Sequence, residues 1–153
     1  MIQNERQFKI TRAKLAKLEA ALPVSQKQAQ NLPPELQQAA SESIQSQIDD
    51  LRAELSEYER LRSTKVDQLD LSSFSDLGGA LIKARIARGY TQANLAKRLN
   101  LKPQQIQKYE ATGYATAGLR RIQEVFAALE IDMRAKMLLN KSHKNDRAHI
   151  DSH

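Results

Sequence analysis

The sequence contains no cysteine, so it can form neither a disulfide nor a thiol nucleophile. It also has no glycine-rich phosphate loop and no pair of catalytic carboxylates. Its three histidines, His143, His149 and His153, lie beyond residue 140, where no cysteine or carboxylate cluster accompanies them. These absences argue against the common catalytic and metal-binding arrangements. We therefore expect a protein that acts by binding, with no enzymatic activity, no cofactor and no metal.

Long hydrophobic runs are absent as well. No apolar segment approaches the ~20 residues that a helix needs to span a bilayer. The first residues, MIQNERQFKI, are polar and charged, unlike a signal peptide. The sequence thus predicts a soluble, cytoplasmic protein with no membrane partner.

Charge is distributed unevenly along the chain. Residues 1–76 contain 10 Lys/Arg and 12 Asp/Glu, a net charge of −2, whereas residues 77–153 contain 14 and 6, a net charge of +8. An excess of positive charge favours contact with the phosphates of nucleic acid. The alternative is that these basic residues only keep a surface soluble.

The N-terminal part, residues 1–62, predicts a helical hairpin resembling a coiled coil. In residues 3–22 a stripe steps by three and four, and the segment PVSQKQAQNLPP should end that helix at Pro23. A second helix should open at Pro33-Pro34 and carry a heptad seam. The first stripe contains Phe8, Thr11, Leu15, Leu18 and Leu22, and the second Ile44, Ile48, Leu51, Leu55 and Tyr58. Such a hairpin could be a structural or dimerising stalk, or a surface that binds another protein.

After a predicted linker at residues 63–75, the segment TQANLAKRLNLKPQQIQKYE at residues 91–110 has the pattern of a helix-turn-helix. Thr91 can cap the first helix, Asn100 suits a left-handed turn, and Pro103 suits the first turn of the second helix. The expected shared core contains Leu95, Ala96, Leu99, Leu101, Ile106 and Tyr109.

The match extends on both sides of this segment. The matching residues are Ala84-Arg85, Gly89-Tyr90-Thr91-Gln92, Leu95-Ala96, Ile106, Tyr109-Glu110 and Ala127-Ala128-Leu129. Together they resemble the XRE (Cro/C1-type repressor) family of helix-turn-helix domains, over about residues 77–131. The resemblance implies a mainly α protein, with a lambda-repressor-like domain of four to five helices at residues 76–139. Two positions depart from the family. Lys102 replaces a capping residue, and Pro103 replaces a common Gln that often reads a base.

The C-terminal end of the domain is less regular in pattern. A last helix is expected at residues 117–129, capped by Thr116, with Leu119, Ile122, Phe126 and Leu129 turned inward. Residues 131–139 alternate with a period of two and predict a short strand that pairs with its copy in a second subunit, or else a fifth helix. Residues 140–153 are polar and predict a disordered tail.

Candidate DNA contacts follow from the second helix of the motif and from the resemblance. Since Ile106 and Tyr109 face inward, the outward residues can meet base edges in the major groove. The base-reading candidates are Gln104, Lys108 and Gln105, with Gln105 nearer the backbone. The resemblance implies a phosphate contact at Gln92 and a structural ion pair between Arg85 and Glu110. The further phosphate candidates are Thr91, Lys97, Lys102, Thr112, Arg120 and Arg121.

These observations predict a sequence-specific regulator that binds double-stranded DNA as a homodimer on a two-fold operator, most simply as a repressor. The main alternative is an antitoxin. The segment IDDLRAELSEYERLR is loosely similar to chains encoded beside toxins, and its acidic residues (Asp49, Asp50, Glu54, Glu57 and Glu59) could cover a basic toxin. A coiled-coil interaction protein with a degenerate DNA-binding domain is the third class.

Overall fold

The computed structural model describes residues 1–63 and 66–139, and within these ranges all regular structure is helical. The helices are α1 (Glu5–Gln28), α2 (Pro34–Ser63), α3 (Leu77–Ala87), α4 (Gln92–Arg98), α5 (Pro103–Ala111) and α6 (Leu119–Leu129). Short 3-10 turns lie at Ala29–Asn31 and Phe74–Asp76. The prediction of a mainly α chain with a helix-turn-helix is confirmed.

Helices α1 and α2 form an antiparallel hairpin. Contacts between them run from the open end to the tip: Glu5 pairs with Arg62 at 2.5 Å, Glu19 with Arg52 at 2.6 Å, and Gln26 bonds Ser41 at 3.2 Å. Helix α2 buries one stripe, Ile48, Leu55, Tyr58 and Leu61, and the last three lie in the same core cluster as residues of α1 and of the C-terminal helices. Its first residue is Pro34, where a missing N–H has no cost.

The predicted end of α1 at Pro23 is wrong. The helix continues through this proline to Gln28. A proline removes one intrahelical hydrogen bond, yet the stripe facing α2 continues beyond it, with Leu22 and Ser25 half-buried and Ala29 buried. Packing against α2 therefore offsets a local preference that would otherwise end the helix.

The base of the hairpin and the C-terminal helices share one hydrophobic core. Ile2, Phe8 and Leu61 lie in the same buried cluster as Leu81 and Leu129. The expected linker also contributes, since Val66, Leu69 and Leu71 pack partly against this cluster. The two predicted segments, 1–62 and 76–139, consequently meet through a continuous apolar interior.

Helix α3 approaches the end of α5 very closely. A Cβ atom added at Gly78 would lie 1.9 Å from the carbonyl oxygen of Gly113, whereas one added at Gly79 would meet nothing within 4 Å. Only glycine therefore fits at position 78, because any side chain would overlap the backbone. The turn after α5 itself has positive φ values, 56° at Gly113 and 61° at Tyr114.

Two predictions at the C-terminal end are corrected. The last helix begins at Leu119 after Gly118, without a side-chain cap, and Thr116 does not cap it. Leu119 is 69% exposed, whereas Val125 is fully buried. The inward stripe thus contains Val125 and Leu129 together with the half-buried Ile122 and Phe126. The helical spacing alone made Leu119 an inward residue, but it lies in the first turn of α6, beyond the edge of the core.

Residues 131–139 form neither the expected strand nor a fifth helix. A strand needs a partner for its backbone groups, and no other strand exists in the described part of this single chain. Apart from the half-buried Ile131, the segment is exposed, including Met133, Met137, Leu138 and Leu139. The predicted tail at residues 140–153, with its histidines, lies outside the described residues.

Candidate nucleic-acid interface

Helices α4 and α5 form the helix-turn-helix. Leu95, Ala96 and Ile106 have no exposed surface, so the two helices meet through a closed apolar contact. Asn100 adopts a φ of 54°, the left-handed conformation expected at the turn, and the N–H of Leu101 donates to the carbonyl of Ala96 at 2.8 Å. The turn fixes the angle at which α5 leaves α4.

The first turn of α4 is capped as the sequence predicts. The Thr91 hydroxyl accepts from the Asn94 N–H at 3.0 Å, and the Asn94 side-chain oxygen accepts from the Thr91 N–H at 2.9 Å. This reciprocal arrangement satisfies two N–H groups that the helix leaves free. The Thr91 hydroxyl, a candidate for phosphate contact, also donates to the same Asn94 oxygen at 2.7 Å.

The start of α5 is capped from within the helix. Lys102 provides no side-chain cap, and instead the Gln105 side-chain oxygen accepts from the Lys102 N–H at 3.0 Å. Pro103 lies in the first turn, as expected. The Gln105 amide oxygen is therefore engaged at the helix terminus, while its NH₂ group remains available.

The outer face of α5 carries polar side chains that make no side-chain hydrogen bond within the described residues. Gln104 and Lys108 are exposed and one helical turn apart. On the opposite face, Ile106 and Glu110 are buried. Gln107, which is not among the predicted base readers, is also exposed beside Gln104 and Lys108. This face can donate and accept hydrogen bonds along two turns of helix.

Behind that face lies a buried polar network. Arg85 is 2% exposed and Glu110 1% exposed. They form a bidentate pair, with Nε at 2.5 Å from Oε1 and Nη2 at 2.8 Å from Oε2. The guanidinium also donates to the carbonyl oxygens of Tyr90 and Gln3, each at 2.7 Å. The network ties α3, the start of α4 and the end of α5 together.

The side chain of Gln92 belongs to this network and not to the surface. Its Nε2 donates to Glu110 Oε2 at 2.8 Å, and its Oε1 accepts from Asn4 Nδ2 at 3.4 Å. The residue is only 7% exposed. A phosphate contact through this side chain would require the amide to leave both partners.

The remaining phosphate candidates differ in whether other protein groups already bind their side chains. Lys97 is exposed and has no ion-pair partner among the described residues, whereas Arg120 and Arg121 both pair with Glu124. The Thr112 hydroxyl donates to the Tyr109 carbonyl at 3.1 Å. Among these residues, Lys97 therefore has the least competition for an external anion.

Sequence patterns do not predict the contribution of the first four residues. Ile2 is buried, Gln3 Nε2 donates to the Glu110 carbonyl at 3.1 Å, and Asn4 caps α1 through the Gln7 N–H at 2.9 Å. No local pattern marks these residues, because their partners lie far along the chain. They bring the start of α1 to the helix-turn-helix.

Tyr114 is a second residue whose role no sequence pattern predicts. Its ring stacks on that of Tyr109 with centroids 6.0 Å apart, and its hydroxyl has no hydrogen-bond partner among the described residues. Burial, with a smaller contribution from the Glu110 carboxylate, raises the pKa of Tyr114 above its usual range. The phenol is therefore a neutral part of the core behind α5.

Comparison with known proteins gives one result for this region. Residues 81–135 match a family model described as a helix-turn-helix. No curated protein and no solved structure matches the chain significantly. In the described residues, no group of His, Asp and Glu is placed to hold a metal, and no helix there is long and apolar enough to cross a membrane.

Proposed function

Residues 81–135 form a helix-turn-helix domain of the XRE (Cro/C1-type) family of DNA-binding transcription regulators, and on this premise we propose that the protein is a sequence-specific repressor that reads the major groove with α5. Repression follows most simply from occupying a promoter. The proposed base readers are Gln104 and Lys108, with Gln105 and Lys102 closer to the DNA backbone.

The observation that carries this proposal is that α5 has one buried face and one exposed polar face. Its inner face is held by Ile106 and by the buried Glu110, while Gln104 and Lys108 are exposed on the opposite side. A glutamine can bind adenine N6 and N7, and a lysine can donate to guanine O6 and N7. The rigid inner face orients these side chains, which lowers the entropic cost of reading a base pair.

The test is a fluorescence-anisotropy titration on the region upstream of the protein's own gene and on a scrambled duplex, at several salt concentrations. A specific repressor should bind the upstream duplex about 10³-fold more tightly or better. Gln104→Ala should cost about 1–3 kcal/mol on that duplex and little on the scrambled one. Gln123→Ala, which removes an exposed glutamine of α6, is the matched control. Equal losses on both duplexes would contradict base reading by Gln104.

We further propose that the protein binds a two-fold operator as a dimer. Two copies of α5 about 34 Å apart would read successive major grooves on one side of the DNA. Support comes from exposed apolar residues in the segment after α6, Met133, Met137, Leu138 and Leu139. Sedimentation equilibrium should show a dimer that Leu138→Asp weakens and that Leu119→Asp, on an equally apolar exposed residue of α6, does not. An unaffected dimer would place the subunit contact elsewhere.

An antitoxin role is the second candidate, and the end of the hairpin far from α5 favours it. Val24, Leu32 and Leu36 are exposed there, which suits a protein partner. The acidic residues of α2 support it less, because Glu54 pairs with the N-terminal amine and Glu57 with Lys83 at 2.9 Å. Partner binding at the tip would leave α5 free for DNA.

Co-expression with the product of the neighbouring gene tests this second candidate. A tagged complex should survive purification with the intact protein and be lost when Leu32 and Leu36 are both changed to aspartate. Gln104→Ala, which lies in the DNA-binding domain, should retain the complex. A neighbour that neither binds nor inhibits growth on its own would rule the antitoxin role out.

A further inference from the structure

Helix α1 exposes a concentration of positive charge in its first half. Between Glu5 and Glu19 there are five basic residues and no acidic one. The five are Arg6, Lys9, Arg12, Lys14 and Lys17. All are exposed, and none forms a hydrogen bond or ion pair through its side chain within the described ranges. This surface is therefore an unneutralised basic face on the half of the chain whose net charge is negative.

The start of this basic face is attached to the DNA-binding motif. Asn4, the N-cap of α1, contacts Gln92 at the first position of α4, and Gln3 contacts the Glu110 carbonyl near the end of α5. Because a helix rises 1.5 Å per residue, Arg6 and Lys9 lie within roughly 3–8 Å of Asn4 along the axis. Arg6 and Lys9 are therefore the residues of the basic face that lie nearest to the start of α4.

The first turns of α1 are anchored in the hydrophobic core. Phe8 is buried and its ring stacks on Tyr58 of α2 with centroids 5.2 Å apart. The acidic residue nearest to this end of the helix, Glu5, is paired with Arg62 at 2.5 Å. Glu5 therefore does not neutralise the basic residues of the first turns, because its carboxylate is already paired.

We propose that the first turns of α1 form a second DNA-binding surface, in which Arg6 and Lys9 contact backbone phosphates beside the groove that α5 enters. The inference rests on the proposed function, since α5 must bring DNA to this side of the molecule. Duplex DNA is the ligand that fits best, because the face is purely basic and continues directly from the DNA-binding motif. These contacts add affinity without reading sequence. The hairpin is thus part of the DNA-binding unit.

A pair of lysines on α1 provides a matched test. Lys27 is exposed like Lys9 and lies about five helical turns further along, so that it points in nearly the same direction but roughly 27 Å from Lys9. Binding of Lys9→Gln and Lys27→Gln is measured on the upstream duplex and on a scrambled duplex between 50 and about 300 mM salt. Thermal melting of each variant verifies folding, since neither side chain has a partner to lose among the described residues.

For Lys9→Gln we expect affinity to fall roughly three- to tenfold near 0.15 M salt on both duplexes, and the salt slope to fall by about one. Lys27→Gln should leave both quantities unchanged. Equal effects of the two variants would mean only a general charge effect and would overturn the proposal. No effect of either would also overturn it, leaving a solvated surface or one for an acidic protein.

The two proposals fail in different ways. If the unmodified protein does not prefer the upstream duplex, the specific repressor proposal fails there. The comparison of Lys9→Gln with Lys27→Gln on either duplex still decides the role of α1, because phosphate contacts do not depend on sequence. If the unmodified protein binds neither duplex at any salt concentration, both proposals are wrong.

Discussion

Replacing Arg85 by alanine is the sharpest test of how the domain is held together. The guanidinium donates to both carboxylate oxygens of Glu110 and to two backbone carbonyls, and both charged residues are almost fully buried. Arg85→Ala would leave the Glu110 carboxylate with the Gln92 amide as its remaining side-chain donor in the described structure. Breaking a buried pair from one side costs about 3–5 kcal/mol.

At about 2–4 °C per kcal/mol for a chain of this size, we expect the Tm of Arg85→Ala to fall by roughly 10 °C. Urea unfolding at 25 °C gives the free energy directly. The matched control is Arg52→Ala, which breaks the exposed pair with Glu19 and should cost less than about 1 kcal/mol. Replacing both Arg85 and Glu110 by methionine should restore part of the loss, because no buried charge is then left alone.

DNA binding by Arg85→Ala gives a second, independent test. Arg85 is enclosed by protein groups, so the salt slope of DNA binding by Arg85→Ala should stay unchanged at temperatures where the variant is folded. A stability loss below about 1 kcal/mol, together with a lower salt slope, would refute the structural role and make Arg85 a DNA contact.

Two further substitutions test the packing behind α5. Gly78→Ala should destabilise the protein by about 1–3 kcal/mol in urea unfolding, because the new methyl group overlaps a backbone carbonyl, whereas Gly79→Ala should be neutral or stabilising by up to about 1 kcal/mol. Equal effects would contradict the close approach at Gly78. Tyr114→Phe removes a buried hydroxyl that has no partner among the described residues, so the free energy of unfolding should stay unchanged or rise. A loss above about 1 kcal/mol would show that this hydroxyl is hydrogen-bonded in solution.

The hairpin and the DNA-binding domain are held together by shared contacts. Phe8 and Leu61 from the hairpin share a core with Leu81 and Leu129, and Gln3 and Asn4 contact the ends of the motif. A ligand that separated these parts would have to expose apolar surface, which costs about 25 cal/mol of free energy per Å². The shared core and these two hydrogen bonds therefore stabilise the orientation of α1 relative to α5.

Local backbone geometry determined much of the motif from the sequence alone. Asn100 occupies a left-handed position, Pro103 opens a helix, and Thr91 caps one. Each of these roles depends on a residue's own conformational range or on groups within four positions, so spacing is sufficient to predict them. The exposure of Gln104 and Lys108 follows in the same way from the buried positions of one helix.

Tertiary contacts decided what local patterns could not. Pro23 remains within a helix because α2 packs against that part of α1, whereas Leu119, in the first turn of α6, lies outside the core and is 69% exposed. Gln92 turns inward because Glu110 and Asn4 offer hydrogen bonds that are invisible in its own segment.

The attachment of α1 to the helix-turn-helix is the clearest example of a feature that tertiary contacts decide. Gln3 meets Glu110 across 107 positions, and Asn4 meets Gln92 across 88. Hydrogen bonds over such separations form only after the hydrophobic core has brought the segments together, because closing so long a loop costs entropy that the core must offset. The sequence by itself therefore determined that a helix-turn-helix is present, and the tertiary structure decided that the basic face of α1 begins beside it.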